Sequence, residues 1–183
     1  MTSSAPFTVR RARPADAPGM AGVHARSWRA TYAGLLPDAV IDDVVRSRPA
    51  RIDRWRTLLG QPEGRRGTFV GTIAGRLVGF VFWGPSREPD ATSDTAEVHA
   101  IYLDPDVIGR GLGRALLSAA EGDIVANGFA SAVLWVLDTN ERARRFYEAA
   151  GWSADGATKA EERAGGTLHE VRYRRSLEAG RGG

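Results

Sequence analysis

Residues 108–117 read IGRGLGRALL, between an apolar β-branched run, TAEVHAIYL (95–103), and a segment that continues to the Asn127-Gly128 pair. Glycine loses more backbone freedom on folding than any other residue, so three in alternation within one turn need a reason. Either the chain bends where no Cβ fits, or something comes close to its backbone. A strand, a glycine turn and a helix N-terminus together form an anion site. The first helical turn leaves N–H groups unpaired, and the helix dipole adds partial positive charge there. Bare Cα positions at Gly109, Gly111 and Gly113 open the way to those groups, and Arg110 and Arg114 add charge at the rim. A tight turn that binds nothing is the competing reading, and the third glycine counts against it.

The common nucleotide loops do not fit. A Walker A loop needs GxxxxGK[ST], and neither its Lys nor its Ser/Thr is present. A dinucleotide GxGxxG begun at Gly109 meets Arg114 where its third glycine belongs; begun at Gly111 it meets Leu116. The turn also comes after at least three strands, too late for either motif.

Away from that turn, the spacing predicts a short strand over 7–13 and a helix from Asp16, as N-cap, to about Gly34. One or two helices follow over 37–60, interrupted at Pro49. TFVGTIAG (68–75) and RLVGFVFWG (76–84) form a hairpin about Ala74-Gly75. The segment 85–94 reads as an exposed connection. The strand 95–103 is followed by a helix over 111–128, which stops at Asn127-Gly128. SAVLWVLD (131–138) is apolar on both faces, as a covered central strand should be. TNERARRFYEAAG (139–151) reads as a short helix with Thr139 as N-cap and Gly151 as terminator. Two strands, near Trp152 and over 167–177, flank a loop, ADGATKAEERAGG. The expectation is one α/β domain over 1–183 with a mixed sheet.

Composition narrows the function. The 183 residues are 43% hydrophobic and 26% charged, with a formal net charge of +3, well inside the soluble globular range. The pI near 9.8 invites nucleic acid, but the arginines are scattered without a basic stripe, so none is expected as partner. Lys159 is the only lysine; so complete a preference for arginine, beside so much Ala and Gly, reads as the coding bias of a GC-rich genome. The absence of cysteine removes thiol nucleophiles, disulfides and thiolate metal sites. His24, His99 and His169 are too far apart in sequence for a zinc pair, so no metal is expected. With no apolar h-region in MTSSAPFTVRRARP and no run of ~20 apolar residues, no membrane association is expected and the cytoplasm is the expected compartment.

IYLDPDVIGRGLGRALL resembles the acyl-CoA-binding motif of the GNAT superfamily of N-acetyltransferases, (Q/R)xxGx(G/A) behind a strand. TNERARRFYEAAGW is similar to the same family's NxxAxxFYxxxGF helix and strand, and GTLHEVRYRRSL looks like its closing strand. The resemblance implies the GNAT fold: a single domain with a mixed, mostly antiparallel sheet of about seven strands flanked by helices; flexible tails are expected at 1–6 and 178–183. It also implies transfer of an acetyl group from acetyl-CoA directly to an amine, without a covalent enzyme intermediate. One departure stands out, because the usual Gln or Arg position falls at Ile108, which donates no side-chain hydrogen bond. The glycine cradle from Gly109 through Arg110, Gly111, Leu112 and Gly113 to Arg114 survives.

By the same resemblance, Ile101, Tyr102 and Leu103 pair with the pantetheine arm where the fourth strand splays from the fifth. Asn140 bonds that arm, and Tyr147, two helical turns on, lies near the sulfur and protonates the thiolate. Glu97 matches the general base. Strict alternation puts Glu97, His99, Ile101 and Leu103 on one face and Val98, Ala100 and Tyr102 on the other, and burial should raise the Glu97 carboxyl toward neutrality. Each residue has a plainer reading. Glu97 pairs with an arginine, Tyr147 packs beside Phe146, Asn140 caps its helix, and His99 is either a second base or a wall. His24, Trp28 and Tyr32 recur every four residues and share a helical face; Trp28, Tyr32 and His99 are the acceptor-pocket candidates, with core packing as the alternative. A small-molecule or peptide amine is the expected acceptor, a homodimer is left open, and a non-catalytic acyl-CoA sensor is the rival class.

Overall fold

The computed structural model describes residues 6–34, 36–61, 64–163 and 166–177, so most of the expected tails lies outside the described residues. The strands are β1 (Phe7–Arg11), β2 (Gly67–Ile73), β3 (Arg76–Pro85), β4 (Thr95–Leu103), β5 (Ser131–Leu137), β6 (Ser153–Arg163) and β7 (Gly166–Ser176). The helices are α1 (Ala17–Tyr32), α2 (Asp38–Arg46), α3 (Arg48–Gly60), α4 (Leu112–Ala126) and α5 (Glu141–Ala149). The strands form one sheet in the order β1-β2-β3-β4-β5-β7-β6, antiparallel except for the β4–β5 pair.

Two layers of side chains cover the sheet. On one face, α4 and α5 bury Leu112, Leu116, Leu117, Ile124 and Tyr147 against Trp83, Val98 and Leu134. On the other, α1 and α3 bring Met20, Val23 and Trp55 onto Val70, Phe80 and Tyr102. Burying each such large side chain contributes about 1.5–3 kcal/mol of hydrophobic free energy. The close approach of α4 is set at Gly71, where a Cβ would stand 2.6 Å from Leu112 Cδ1.

The β2–β3 hairpin turns where expected, with Ala74 (φ 48°) and Gly75 (φ 77°) both left-handed as a type I′ turn requires. At the end of α4, Phe129 N–H bonds to Ile124 O and Gly128 N–H to Val125 O, a Schellman motif around Gly128 (φ 80°).

Four local expectations are corrected. Asp16 precedes α1 without capping it: its carboxylate is held by Arg10 at 2.8 Å and by the Arg13 N–H at 2.7 Å. The break between α2 and α3 falls at Ser47, and Pro49 sits in the first turn of α3, where its missing N–H costs nothing. The cap of α5 is Asn140, whose Oδ1 accepts from Ala143 N–H at 3.1 Å; Thr139 stands outside. The stretch read as a loop after Trp152 is β6, paired with β7 from Thr158 to Arg163 beyond a bulge at 154–158.

Candidate active site

Two features of β4 build the site. The first is its divergence from β5: only Thr95, Ala96 and Glu97 pair with Ser131, Ala132 and Val133. From Val98 onward the β4 edge facing β5 has no strand partner among the described residues. The second is a bulge. Trp83 pairs with Val98 but Phe82 with Ala100, so His99 is an extra residue in β4. A one-residue insertion flips the side-chain parity beyond it. Ala96, Val98, Ile101 and Leu103 therefore share the α4–α5 face, while Ala100 and Tyr102 face α1 and α3. The expected grouping of Glu97 and His99 with Ile101 and Leu103 is overturned. It needed an unbroken strand.

A cavity of about 680 Å³ fills the gap and continues under α1. Ile101, Tyr102, Leu103, Gly109, Gly111, Gly113, Arg114, Asn140 and Tyr147 all line it, and so do Glu97, His99, Trp28 and Tyr32. At its outer end Gly109 (φ 82°) and Gly111 (φ 86°) take the left-handed conformation, which other residues adopt only at a cost. A Cβ on Gly109 would meet no protein atom within 4 Å. The turn is held below by Asp104, which is 1% exposed and paired with both Arg26 (2.6 Å) and Arg76 (3.0 Å). No side chain caps α4, so its first-turn N–H groups point into open space with the helix dipole behind them. Leu112 adds only its backbone there, because its side chain lies 1% exposed in the core. Ile108 is 38% exposed at the rim.

The inner end is polar. Glu97 is 8% exposed; its Oε1 lies 3.2 Å from His99 Nδ1, and its Oε2 accepts from Arg87 N–H at 3.3 Å. Burial pushes this carboxyl up, but the hydrogen bond and charge of His99 and the contacts of Arg87 outweigh it, and the net shift is downward. The expected rise toward neutrality is overturned, because the burial comes with partners. His99 Nδ1 also lies 3.1 Å from Arg87 Nη2. A guanidinium only donates and a carboxylate only accepts, so Nδ1 serves one partner at a time. With its proton on Nδ1 toward Glu97, the ring leaves the Nε2 lone pair bare.

Tyr147 has its ring in the core, 5.2 Å from Phe146 and 6.1 Å from Tyr173 between centroids, and still borders the cavity. The packing reading holds, and the ring also reaches the cavity wall. Among the described residues its hydroxyl has no hydrogen-bond partner, and burial, then Tyr102 and Tyr32, push its pKa above the ordinary range. It keeps its proton and can donate it only into the cavity. Asn140 caps α5 through Oδ1 and also lines the cavity, with Nδ2 not used by the cap. On α1, Trp28 stacks 4.5 Å from Tyr32 and donates to Tyr102 OH at 3.3 Å. His24 stays behind this wall, 4.7 Å from Tyr102 and outside the cavity lining.

Sequence reasoning missed Arg87, Trp135, Lys159 and Glu170, which also line the cavity. Arg87 comes from the segment read as an exposed connection. Arg172 ties that segment down, bonding Asp90 at 2.7 and 2.6 Å, while Trp135 Nε1 donates to Glu88 at 3.0 Å. Lys159 and Glu170 face each other across β6 and β7. The alternating TKAEER against TLHEVR, joined through a Gly165-Gly166 pair, was the available hairpin signal. Among the described residues no helix is long and apolar enough to cross a membrane, and no three His, Asp or Glu side chains gather as a metal-ligand group.

Comparison with known proteins agrees with this geometry. Residues 27–152 match the model of the acetyltransferase (GNAT) family. The chain is 32% identical over 134 residues to the uncharacterised N-acetyltransferase YuaI of Bacillus subtilis (strain 168), covering 73% of each. Its fold superposes on PaiA N-acetyltransferase of Thermoplasma acidophilum, solved with coenzyme A, with a TM-score of 0.68 at 20% identity, over 93% of this chain and 99% of that one. It superposes equally on the Salmonella typhimurium protein YncA, solved with acetyl-CoA, with a TM-score of 0.67 at 23% identity over 96% of each chain.

Proposed function

The chain belongs to the GNAT acetyltransferase family, and from that membership we propose that it moves an acetyl group from acetyl-CoA directly onto a primary amine of a small molecule or peptide. The observation that carries the proposal is the single cavity joining a glycine-turned helix N-terminus, an unpaired strand edge and two proton-handling groups. The residues present fit the co-substrate. The α4 N-terminus, with Gly109, Gly111 and Gly113 bare of Cβ atoms and Arg110 and Arg114 beside it, suits a pyrophosphate. The free edge of β4 over Ile101, Tyr102 and Leu103, with Asn140 Nδ2 opposite, suits an amide-bearing arm. Acetyl-CoA supplies the thioester; the chain supplies position and proton transfer.

At the inner end Glu97 and His99 take up the amine proton. Glu97 stays ionised throughout the neutral range, because its partners hold it below the ordinary carboxylate value. Tyr147 donates toward the departing sulfur. A thiol with a pKa of about 8.5 is more acidic than a buried tyrosine, so the hydroxyl delivers its proton only as the amine's second proton refills it. The aromatic faces of Trp28, Tyr32 and Trp135, with Glu97 and Glu170 among the lining carboxylates, favour an acceptor that arrives as an ammonium.

Calorimetry with acetyl-CoA, followed by CoA release over a panel of amines, tests the reading. The expected result is micromolar binding with turnover on at least one amine; absence of binding overturns it. Glu97→Gln and Tyr147→Phe should each lower kcat by about 10²–10⁴-fold, the usual range for general acid or base catalysis, and change acetyl-CoA affinity little. Equal losses in kcat and affinity would reduce Tyr147 to packing.

A further inference from the structure

We propose that Lys159 is acetylated by its own active site, in an intramolecular reaction that rests on the acetyltransferase reading above. Lys159 is the chain's only lysine, and it lines the cavity that holds Glu97 and Tyr147. Its strand, β6, is the sheet edge, separated from β5 by β7. Lys159 pairs with Glu170, and Glu170 with Leu137 of β5, so the three stand in one row across three strands. The lysine side chain folds back along that row. Its Nζ lies 3.3 Å from Glu170 Oε2 and 4.3 Å from the ring centroid of Trp135, a residue of β5. β5 is the strand that parts from β4 to open the gap. A primary amine is thus delivered to the wall of the acceptor cavity and held there by a carboxylate and an aromatic face, the two groups that suit an ammonium. Every other basic side chain apart from the histidines is an arginine, whose guanidinium keeps its proton and is no nucleophile.

The reaction balances without a further reagent. One ammonium proton leaves Nζ for Glu170 and passes to water. The nitrogen lone pair forms the bond to the thioester carbonyl carbon, and the C–S bond breaks. The second proton goes from the tetrahedral nitrogen, by way of Tyr147, to the thiolate. The products are Nε-acetyl-lysine, the CoA thiol and one proton. Acetylation removes the charge that pairs with Glu170 and uncovers one face of Trp135, so the modified enzyme presents a more acidic acceptor pocket. Nζ is also the group that a competing amine must displace or outpace.

The test is intact-mass and peptide-mass spectrometry of the full chain incubated with acetyl-CoA, beside calorimetric binding of acetyl-CoA. The expected result is one added acetyl group on the peptide containing Lys159, none on that peptide in Lys159→Arg, and a first-order rate independent of protein concentration. An excess of free CoA should suppress it by competing for the cavity. Binding with no modification at Lys159 overturns this proposal and leaves the acetyltransferase reading standing. Modification undiminished by excess CoA marks solution chemistry, and a rate that rises with protein concentration marks transfer between copies; either overturns it. Failure to bind acetyl-CoA takes down both.

Discussion

His24 shows how far one residue's surroundings can move its chemistry. It was read with Trp28 and Tyr32 as one helical face, yet only those two reach the cavity. His24 is 6% exposed with its Nδ1 lacking a partner among the described residues. Burial, then the charge of Arg51, pulls its pKa from 6.5 to about 3. The folded state therefore keeps the ring neutral where the unfolded chain protonates it. The unfolded state binds the extra proton between those values, so stability rises with pH across the window and is lost as pH falls through it. At about 1.4 kcal/mol per unit, His24 removes roughly 2 kcal/mol between pH 7.5 and pH 5.0. Urea denaturation at both pH values should show the loss, and His24→Leu should shrink it by about that amount. An unchanged difference in the variant would mean that the ring is solvated. Glu97 has the same sign, since its folded value is also depressed: its contribution is present above the unfolded value and is lost as pH falls through the folded one. The acid limb of kcat/KM should accordingly lie below the ordinary glutamate value of about 4.3.

Helix α5 joins local stability to the site through one amide side chain. Asn140 Oδ1 caps the helix, and removing such a cap costs about 1 kcal/mol. Its Nδ2 is left over from the cap, and the residue lines the cavity. The two roles separate by substitution. Asn140→Asp keeps an oxygen acceptor for Ala143 N–H and should leave stability within ~0.5 kcal/mol while weakening acetyl-CoA at least tenfold. Asn140→Ala should lose both. Thermal melts and calorimetry on the pair decide it, and an Asp variant with unchanged affinity would confine Asn140 to capping. Elements like this were legible because their signals are local: the Asn127-Gly128 stop, the Ala74-Gly75 turn and the β4 run all stand where spacing put them. What escaped was set across strands. Nothing within TAEVHAIYL marks His99 as the extra residue; the bulge exists only in register with Phe82 and Trp83. The downward shift at Glu97 likewise rests first on His99, the bulged residue, and then on Arg87, ten residues away in a segment that Arg172 of β7 ties down through Asp90.

Across the whole molecule the two faces of the sheet are unequal, and the thinner one is where the proposed acceptor enters. Against the α4–α5 face lies a continuous core from Val78 and Trp83 through Leu116 and Ile124 to Trp152 and Tyr173. The α1–α3 face has Met20, Val23, Val70 and Phe80 as its fully buried members. Helix α3 has no buried residue, and among the described side chains of α2 Ile41 is the buried apolar one. Local opening free energy follows the apolar area lost on opening, so α2 and α3 should open well below the global unfolding free energy while α4 and β5 open near it. Amide hydrogen exchange should show residues 38–60 exchanging at least tenfold faster than 112–126. Added acetyl-CoA should protect 101–114 and 139–147 and leave 38–60 unchanged, because the proposed cofactor half rests on the rigid face. An amine acceptor, entering beneath α1, should then slow exchange in α1 and, through their packing, in α2 and α3. Uniform protection before ligand would show that the thin face is as cooperative as the thick one. Protection of 38–60 by acetyl-CoA alone would place the cofactor's reach on the acceptor side and break the division of the cavity into two ends.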